Sequence, residues 1–208
     1  MKKLAIIGAG DLGQLIAHMA KDAFEVVGYF DDTKNVGETI YNIPVLGSVA
    51  EIELQFQQET FDCLSVGIGY KHFGFRKMIF ERFLNHIPFA NVIHDSSFID
   101  ASCELGEGLV IFPGCVIDQY AQLGNNVLLN AGCTIAHHSR VKEHSFLSPR
   151  VALAGFVSVG SCCNLGINTS VIDNITIADY VQTGGGAVVI DSLKNSGLYV
   201  GVPAKFIK

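Results

Sequence analysis

From Ile99 to Val189 the chain repeats every six residues, and nothing else in it restricts the fold so sharply. The series Ile99, Leu105, Ile111, Ile117, Leu123, Leu129, Ile135, Val141, Leu147, Leu153, Val159, Leu165, Val171, Ile177, Thr183 and Val189 is aliphatic everywhere but at Thr183, without a frame break. Four residues after each stands a second inward position. It carries Cys103, Leu109, Cys115, Ala121, Val127, Cys133, Ser139, Ser145, Val151, Val157, Cys163, Thr169, Ile175, Val181 and Ala187, mostly small or mid-sized. A large aliphatic group then fills the centre of a triangular coil and a smaller one packs near its corner. Three hexads close a coil, so about eighteen residues climb one strand spacing of about 4.8 Å. Each coil buries its apolar groups only against its neighbours, and stability is roughly a sum over stacked units. Gly106, Gly124, Gly160, Gly166 and Gly184 recur one place after the aliphatic position. They are expected to ease the corners by accepting positive φ. The period predicts a parallel β-helix but does not fix its hand.

The first half reads differently. Residues 3–7 predict a buried strand, Gly8-Ala9-Gly10-Asp11-Leu12-Gly13 a turn, and the next residues to about Lys21 an amphipathic helix. Glu25–Phe30 is a second strand, ending at Asp31-Asp32. A strand at Cys63–Val66, a helix around Phe73–Leu84 and a strand near Asn91–Ile93 complete the α/β, Rossmann-like domain, placed at residues 1–95, with the β-helix and a C-terminal tail at 96–208. The glycine pattern with an acid some 20 places on is a dinucleotide fingerprint. The glycines let backbone approach a phosphate at a helix N-terminus, and the acid accepts from a ribose hydroxyl. A dehydrogenase is disfavoured by size, since a dinucleotide fold needs two mononucleotide halves. One half suits one nucleotide, and a purely structural tight turn stays open beside it.

Composition narrows the rest. A net charge of −6 argues against a nucleic-acid partner, and no apolar run is long enough to span a membrane. Lys2 and Lys3 precede an apolar run that Asp11 and Gln14 interrupt, which reads as a first strand rather than a leader and predicts a cytoplasmic protein. The six cysteines include no CxxC pair, and four fall on the inward repeat position, so they read as core residues with reduced thiols.

Across its whole length the chain resembles the bacterial sugar O- and N-acetyltransferases grouped with the sialic acid O-acetyltransferase NeuD, and within them the N-acetyltransferases of nucleotide-linked 4-amino sugars. The matching segments are Gly8–Gly13, Phe30-Asp31-Asp32, Ile68-Gly69, Ile93-His94, Asn130 to His137, Leu165-Gly166-Ile167-Asn168, Gly184-Gly185-Gly186-Ala187 and Gly201-Val202-Pro203-Ala204-Lys205. The resemblance implies a left-handed β-helix, a homotrimer with active sites between subunits, acetyl-CoA as co-substrate, no metal, and transfer of acetyl to an amino sugar, with O-acetylation as the alternative. The family's general base falls on His137, its acidic neighbour on His138, and a histidine of its CoA side on Phe146. Its nucleotide contacts map to Gly10, Asp11, Leu12, Asp31, Asp32 and Gly69, with Asn130 on the substrate side. Its CoA contacts map to Ile167 and Gly185, and the amide beside the oxyanion to Gly155.

The repeat frame tests this mapping. Gly155 follows His137 by one coil of eighteen residues, which places it on the same edge about 5 Å above, where its N–H is expected to meet an oxyanion. Ile167 and Gly185 are also one coil apart, on a different edge, so a shared site requires neighbouring subunits side by side. His138 either assists His137, alone or through Glu143 or Asp118, or points away as strand neighbours do; His144 is expected to face solvent. Two other readings compete: a zinc site on His137, His138 and His144, as in γ-carbonic anhydrases, for which the spacing is poor, and an inactive nucleotide-sugar-binding scaffold.

Overall fold

The structure is a computed structural model describing residues 1–208. It divides into two compact units, Met1–Val92 and Ile93–Lys208.

In the first unit the strands are β1 (Lys2–Ile7), β2 (Phe24–Phe30), β3 (Thr39–Ile40), β4 (Ile43–Gly47) and β5 (Cys63–Val66), and the helices α1 (Asp11–Ala20), α2 (Ile52–Gln57) and α3 (Phe73–Phe83). The sheet order is β3-β4-β2-β1-β5. The strands β4, β2, β1 and β5 pair in parallel, and β3 runs antiparallel to β4. Residues Leu4–Ile7 are all buried, the continuous apolar run of a strand covered on both faces. Along α1 the residues Gly13, Ile16, Ala17 and Ala20 face inward at helical spacing. Phe30, Phe61, Phe80 and Phe83 pack with Ile7, Ile52 and Ile79 into one core.

The hairpin β3–β4 and helix α2 have no counterpart in the periodicity reading. The hairpin turns on Tyr41 and Asn42, both left-handed at φ 48 and 66, which suits a two-residue connection of type I′. The pattern Ser48-x-x-Glu51 announces a helical turn, and it forms a capping box here, with Ser48 N–H donating to Glu51 Oε2 at 2.7 Å.

The second unit is a left-handed parallel β-helix of two-residue rungs. Three flat sheets form its walls. The first wall carries Phe98–Ile99, Val116–Ile117, Thr134–Ile135, Ala152–Leu153, Ser170–Val171 and Val188–Val189. The second carries Glu104–Leu105, Gln122–Leu123, Arg140–Val141, Ser158–Val159 and Thr176–Ile177. The third begins at Val92–Ile93 and runs through Val110–Ile111, Leu128–Leu129, Phe146–Leu147 and Asn164–Leu165 to Val181–Thr183, then takes up Gly197–Val200 and an antiparallel last strand, Lys205–Phe206, so the strand expected near Asn91–Ile93 to complete the first sheet joins this wall instead. Register is one coil throughout, as in Ile117↔Ile135 and Ile135↔Leu153. The aliphatic series from Ile111 to Ile177 forms a single core with Cys115, Cys133 and Cys163 inside it. Burial pushes the Cys163 thiol up to about 12, as befits a packing role. Inward hydroxyls find carbonyls one coil on: Ser139 donates to Ala154 O at 2.7 Å and Ser145 to Gly160 O at 2.8 Å.

The role expected for the recurring glycines needs correction. Positive φ falls two residues later in each corner, at Tyr120, Asn126, His138, His144, Arg150, Phe156, Cys162 and Asn168 among others, and glycine holds that place only at Gly108, Gly114, Gly132 and Gly186. Gly106, Gly124, Gly160 and Gly166 are there because the next coil passes too close: a Cβ on Gly124 would lie 2.6 Å from Glu143 N.

Candidate active site

At the corner leading from the first wall to the second, the turns of successive coils stack residue on residue. His137 and His138 form one such turn and Gly155 and Phe156 the next, with His138 and Phe156 both at φ 60. Backbone hydrogen bonds lock the column: His138 N–H donates to Gln119 O at 2.9 Å and Phe156 N–H to His137 O at 3.1 Å. The Nδ1–Cε1–Nε2 edge of the His137 ring closes on Gly155. A Cβ there would sit 2.6 Å from Cε1 and 2.8 Å from Nε2, so only glycine leaves room for the imidazole. Gly155 is itself buried while both histidines are exposed. Nδ1 of His137 lies 3.2 Å from Nδ1 of His138. The alternation argument for His138 pointing away fails because both residues belong to a turn, not a strand. The His138 ring stacks on Phe156 at 4.8 Å between centroids and 21° between planes, and meets Tyr120 on its other side at 4.9 Å.

Other expected partners are engaged differently. Glu143 sits on the corner between the second and third walls, bonded to the Ser161 hydroxyl at 2.5 Å. Asp118 lies on the same corner one coil below, where its carboxylate accepts from Gln119 N–H and has no hydrogen bond to either histidine. His144, expected to face solvent, is 4% exposed, with Nδ1 3.1 Å from Asn126 Nδ2 on the coil below. His137, His138 and His144 therefore do not converge, and no group of three or more potential ligands gathers anywhere in the chain. Phe146 is 4% exposed on the third wall and presents no surface to a CoA molecule in this chain. Ile167 and Gly185 stack on the corner between the third and first walls, both exposed, with a Gly185 Cβ meeting Ile167 Cγ2 at 3.1 Å. Beside them Gly186 adopts φ 69 with open space above it, so a slender ligand can lie along backbone there. Asn130 belongs to that same corner, where its Oδ1 accepts from Ala131 N–H at 2.8 Å, a turn-capping role away from His137.

The first unit offers a second candidate site. β1 pairs with β2 on one side and β5 on the other, so the order reverses at β1/β5, where open α/β sheets bind ligands. The β1 loop and the β5 loop close on each other there: a Cβ on Gly67 would lie 2.6 Å from the Gly13 Cα, and one on Gly13 would lie 1.9 Å from Gly8 O. Gly10 and Gly69, by contrast, look into empty space. Gly10 is the N-cap of α1 and has no side-chain cap, which leaves the first amides, at Asp11 and Leu12, facing outward at the positive end of the helix. Both acids are occupied by the chain itself. Asp31 accepts from Ala9 N–H at 2.8 Å and from the Thr33 N–H and hydroxyl, and Asp32 accepts from Val49 N–H at 2.8 Å. Burial pushes the Asp31 carboxyl up, but the hydrogen bonds from Thr33 and Ala9, with the charge of Lys34, outweigh it and hold the group below its usual range. Sequence reasoning missed Arg76. Fully buried, it donates to Val66 O at 3.0 Å and Ile68 O at 3.2 Å and so fixes the turn before Gly69; a lone arginine on an apolar helix face was the available signal.

Comparison with known proteins places both units. Residues 3–83 match the family described as the PglD N-terminal domain. The whole chain superposes on a point mutant of perosamine N-acetyltransferase from Caulobacter crescentus, solved with CoA and GDP-perosamine, at 28% identity, TM-score 0.94, covering 100% of this chain and 98% of that one. PerB from the same organism, also with CoA and GDP-perosamine, gives 29% identity, TM-score 0.92 and the same coverage. The acetyltransferase domain of PglB from Neisseria gonorrhoeae shares the fold at 24% identity, TM-score 0.91 and full coverage of both chains. The six-residue repeat, the two-unit fold and these likenesses together make the chain an acyltransferase built of hexapeptide repeats, whose residues 3–83 are similar to the PglD N-terminal domain.

Proposed function

We propose that the protein transfers an acetyl group from acetyl-CoA to the amine of a nucleotide-linked amino sugar. The observation that carries this reading is the exposed imidazole of His137, seated on Gly155. It is supported by the likeness to enzymes solved with CoA and GDP-perosamine. The attacking amine forms its N–C bond to the thioester carbonyl, the C–S bond breaks, and the amine's proton passes to Nε2 of His137 and then to the departing thiolate. Such a step needs positioning and one proton acceptor near neutrality, and no acyl-enzyme. Gly155 gives the ring its seat; its N–H, which bonds to nothing within the chain, is the donor for the developing oxyanion. The exposed edge of Ile167, Gly185 and Gly186 suits the extended pantetheine arm, and a homotrimer in which neighbouring β-helices lie side by side brings that edge to the His137 corner of another copy. In the first unit, the amides of Asp11 and Leu12 and the open ground at Gly10 and Gly69 take the nucleotide's phosphates. A cytoplasmic setting follows from its substrates.

The test is thioester cleavage with acetyl-CoA and a panel of UDP-, GDP- and dTDP-linked 4-amino sugars. One nucleotide class should be turned over, and His137→Ala should lower kcat by two orders of magnitude or more with assembly intact. Near-native turnover in that variant removes His137 as the base. Turnover of hydroxyl acceptors alone moves the reading to O-acetylation.

A further inference from the structure

A histidine activates a nucleophile through one nitrogen only if the other carries the proton. Two imidazole nitrogens 3.2 Å apart, as Nδ1 of His137 and Nδ1 of His138 are, have one proton between them. If it resides on His137, the lone pair of His137 Nε2 is free and His138 accepts. If it resides on His138, His137 carries its proton at Nε2 and has no base to offer. The column around His138 is built to hold that ring. Three successive coils place an aromatic ring at the left-handed corner position, Tyr120, His138 and Phe156, each at φ 60, where the coils on either side carry Ser102 and Asn174. The left-handed conformation is shared with other corners of the β-helix, at Asn126, Arg150 and Asn168 among others; what sets this column apart is its run of rings. Tyr120 and Phe156 remain 56% and 53% exposed, so they gain little by burial in the chain, yet they sandwich the imidazole. Phe156 also meets His137 edge-on at 5.2 Å.

The geometry points to His138 as a positioning residue that, clamped between Tyr120 and Phe156, accepts the Nδ1–H of His137 and so holds His137 in the tautomer whose Nε2 is the base. This rests on His137 being that base. The acceptor is an uncharged imidazole where the family pattern has a carboxylate. In the resting dyad His137 carries its proton at Nδ1 and His138 at Nε2. When the attacking amine's proton reaches His137 Nε2, the existing Nδ1–H···N bond becomes charge-assisted and strengthens. The proton then leaves from Nε2 to the thiolate, and His138 ends as it began, neither gaining nor losing one.

The discriminating variant is His138→Phe, which keeps a ring in the stack and removes the acceptor. Expected is a kcat reduced at least about 100-fold, a KM for acetyl-CoA within a few-fold, and an unchanged Tm. His138→Glu, which restores an acceptor, should recover kcat to within about tenfold of wild type. In ¹⁵N-histidine spectra His137 should be protonated at Nδ1 in the wild type and a tautomer mixture in His138→Phe. Wild-type kcat in His138→Phe, with His137→Ala inactive, overturns the positioning role and leaves the base intact; so does a wild-type spectrum with His137 protonated at Nε2. Near-native turnover in His137→Ala overturns the base itself.

Discussion

Gly155→Ala should separate activity from stability more cleanly than removing either histidine. The added methyl would stand 2.6 Å from Cε1 and 2.8 Å from Nε2 of His137. Carbon atoms settle at about 3.5–4.0 Å, so the ring must retreat by about 1 Å. The ring is at the end of an exposed side chain and can move, so the fold need not give way. That retreat stretches the 3.2 Å contact with His138 past hydrogen-bond range and carries Nε2 off its line of attack. A misplacement of about 1 Å costs roughly 100-fold in rate, equivalent to about 2.7 kcal/mol of barrier. The backbone at Gly155 is not left-handed, so alanine meets no backbone strain and restricts the unfolded chain, a gain of about 0.4–1 kcal/mol. Steady-state kinetics beside thermal unfolding should therefore show kcat down about 100-fold with Tm level or slightly raised. Full kcat in a folded Gly155→Ala protein would refute the placement of the base on this glycine.

The first unit yields a paired test. Gly13→Ala drives a Cβ into the Gly8 carbonyl and should destabilise the domain by about 3 kcal/mol or more in urea unfolding, whereas Gly10→Ala, with open space around it, should unfold within about 1 kcal/mol of wild type yet bind nucleotide at least tenfold more weakly by calorimetry. Equal nucleotide affinity in Gly10→Ala would remove the cradle. The depressed Asp31 carboxyl contributes stability that is present above the unfolded-chain value of about 3.9 and is lost as pH falls through the lower folded value; Asp31→Asn should flatten that acid limb of the unfolding profile. In the β-helix, Leu147→Ala empties a fully buried site and should cost about 2–5 kcal/mol, measured by denaturant unfolding, without moving KM in the surviving folded fraction.

What the sequence disclosed, and what it withheld, follow from one distinction. The rungs were legible because every coil presents its aliphatic residue to the same core, so a single slip would expose the whole series, and the frame from Ile111 to Ile177 is the core observed. That frame also aligns His137 with Gly155, since a fixed climb converts sequence separation into vertical stacking. It could not give the direction in which a turn side chain leaves the edge. Strand alternation was the wrong guide for His138, because the corner residue is left-handed and swings its ring alongside its neighbour. His144, at the equivalent place on another corner, is buried against Asn126, so the same local conformation yields an exposed dyad in one column and an internal hydrogen bond in the next. The glycines mislead in the same manner, marking where coils press together rather than where the backbone turns left-handed. In the first unit the fingerprint located the loop, but the destinations of Asp31 and Asp32 depended on Thr33 and on Val49, the latter contributed by a segment with no periodic signal. Position along this chain is set by the repeat; chemistry at a corner is set by which ring the coil above and the coil below happen to supply, and at His138 those rings are Phe156 and Tyr120.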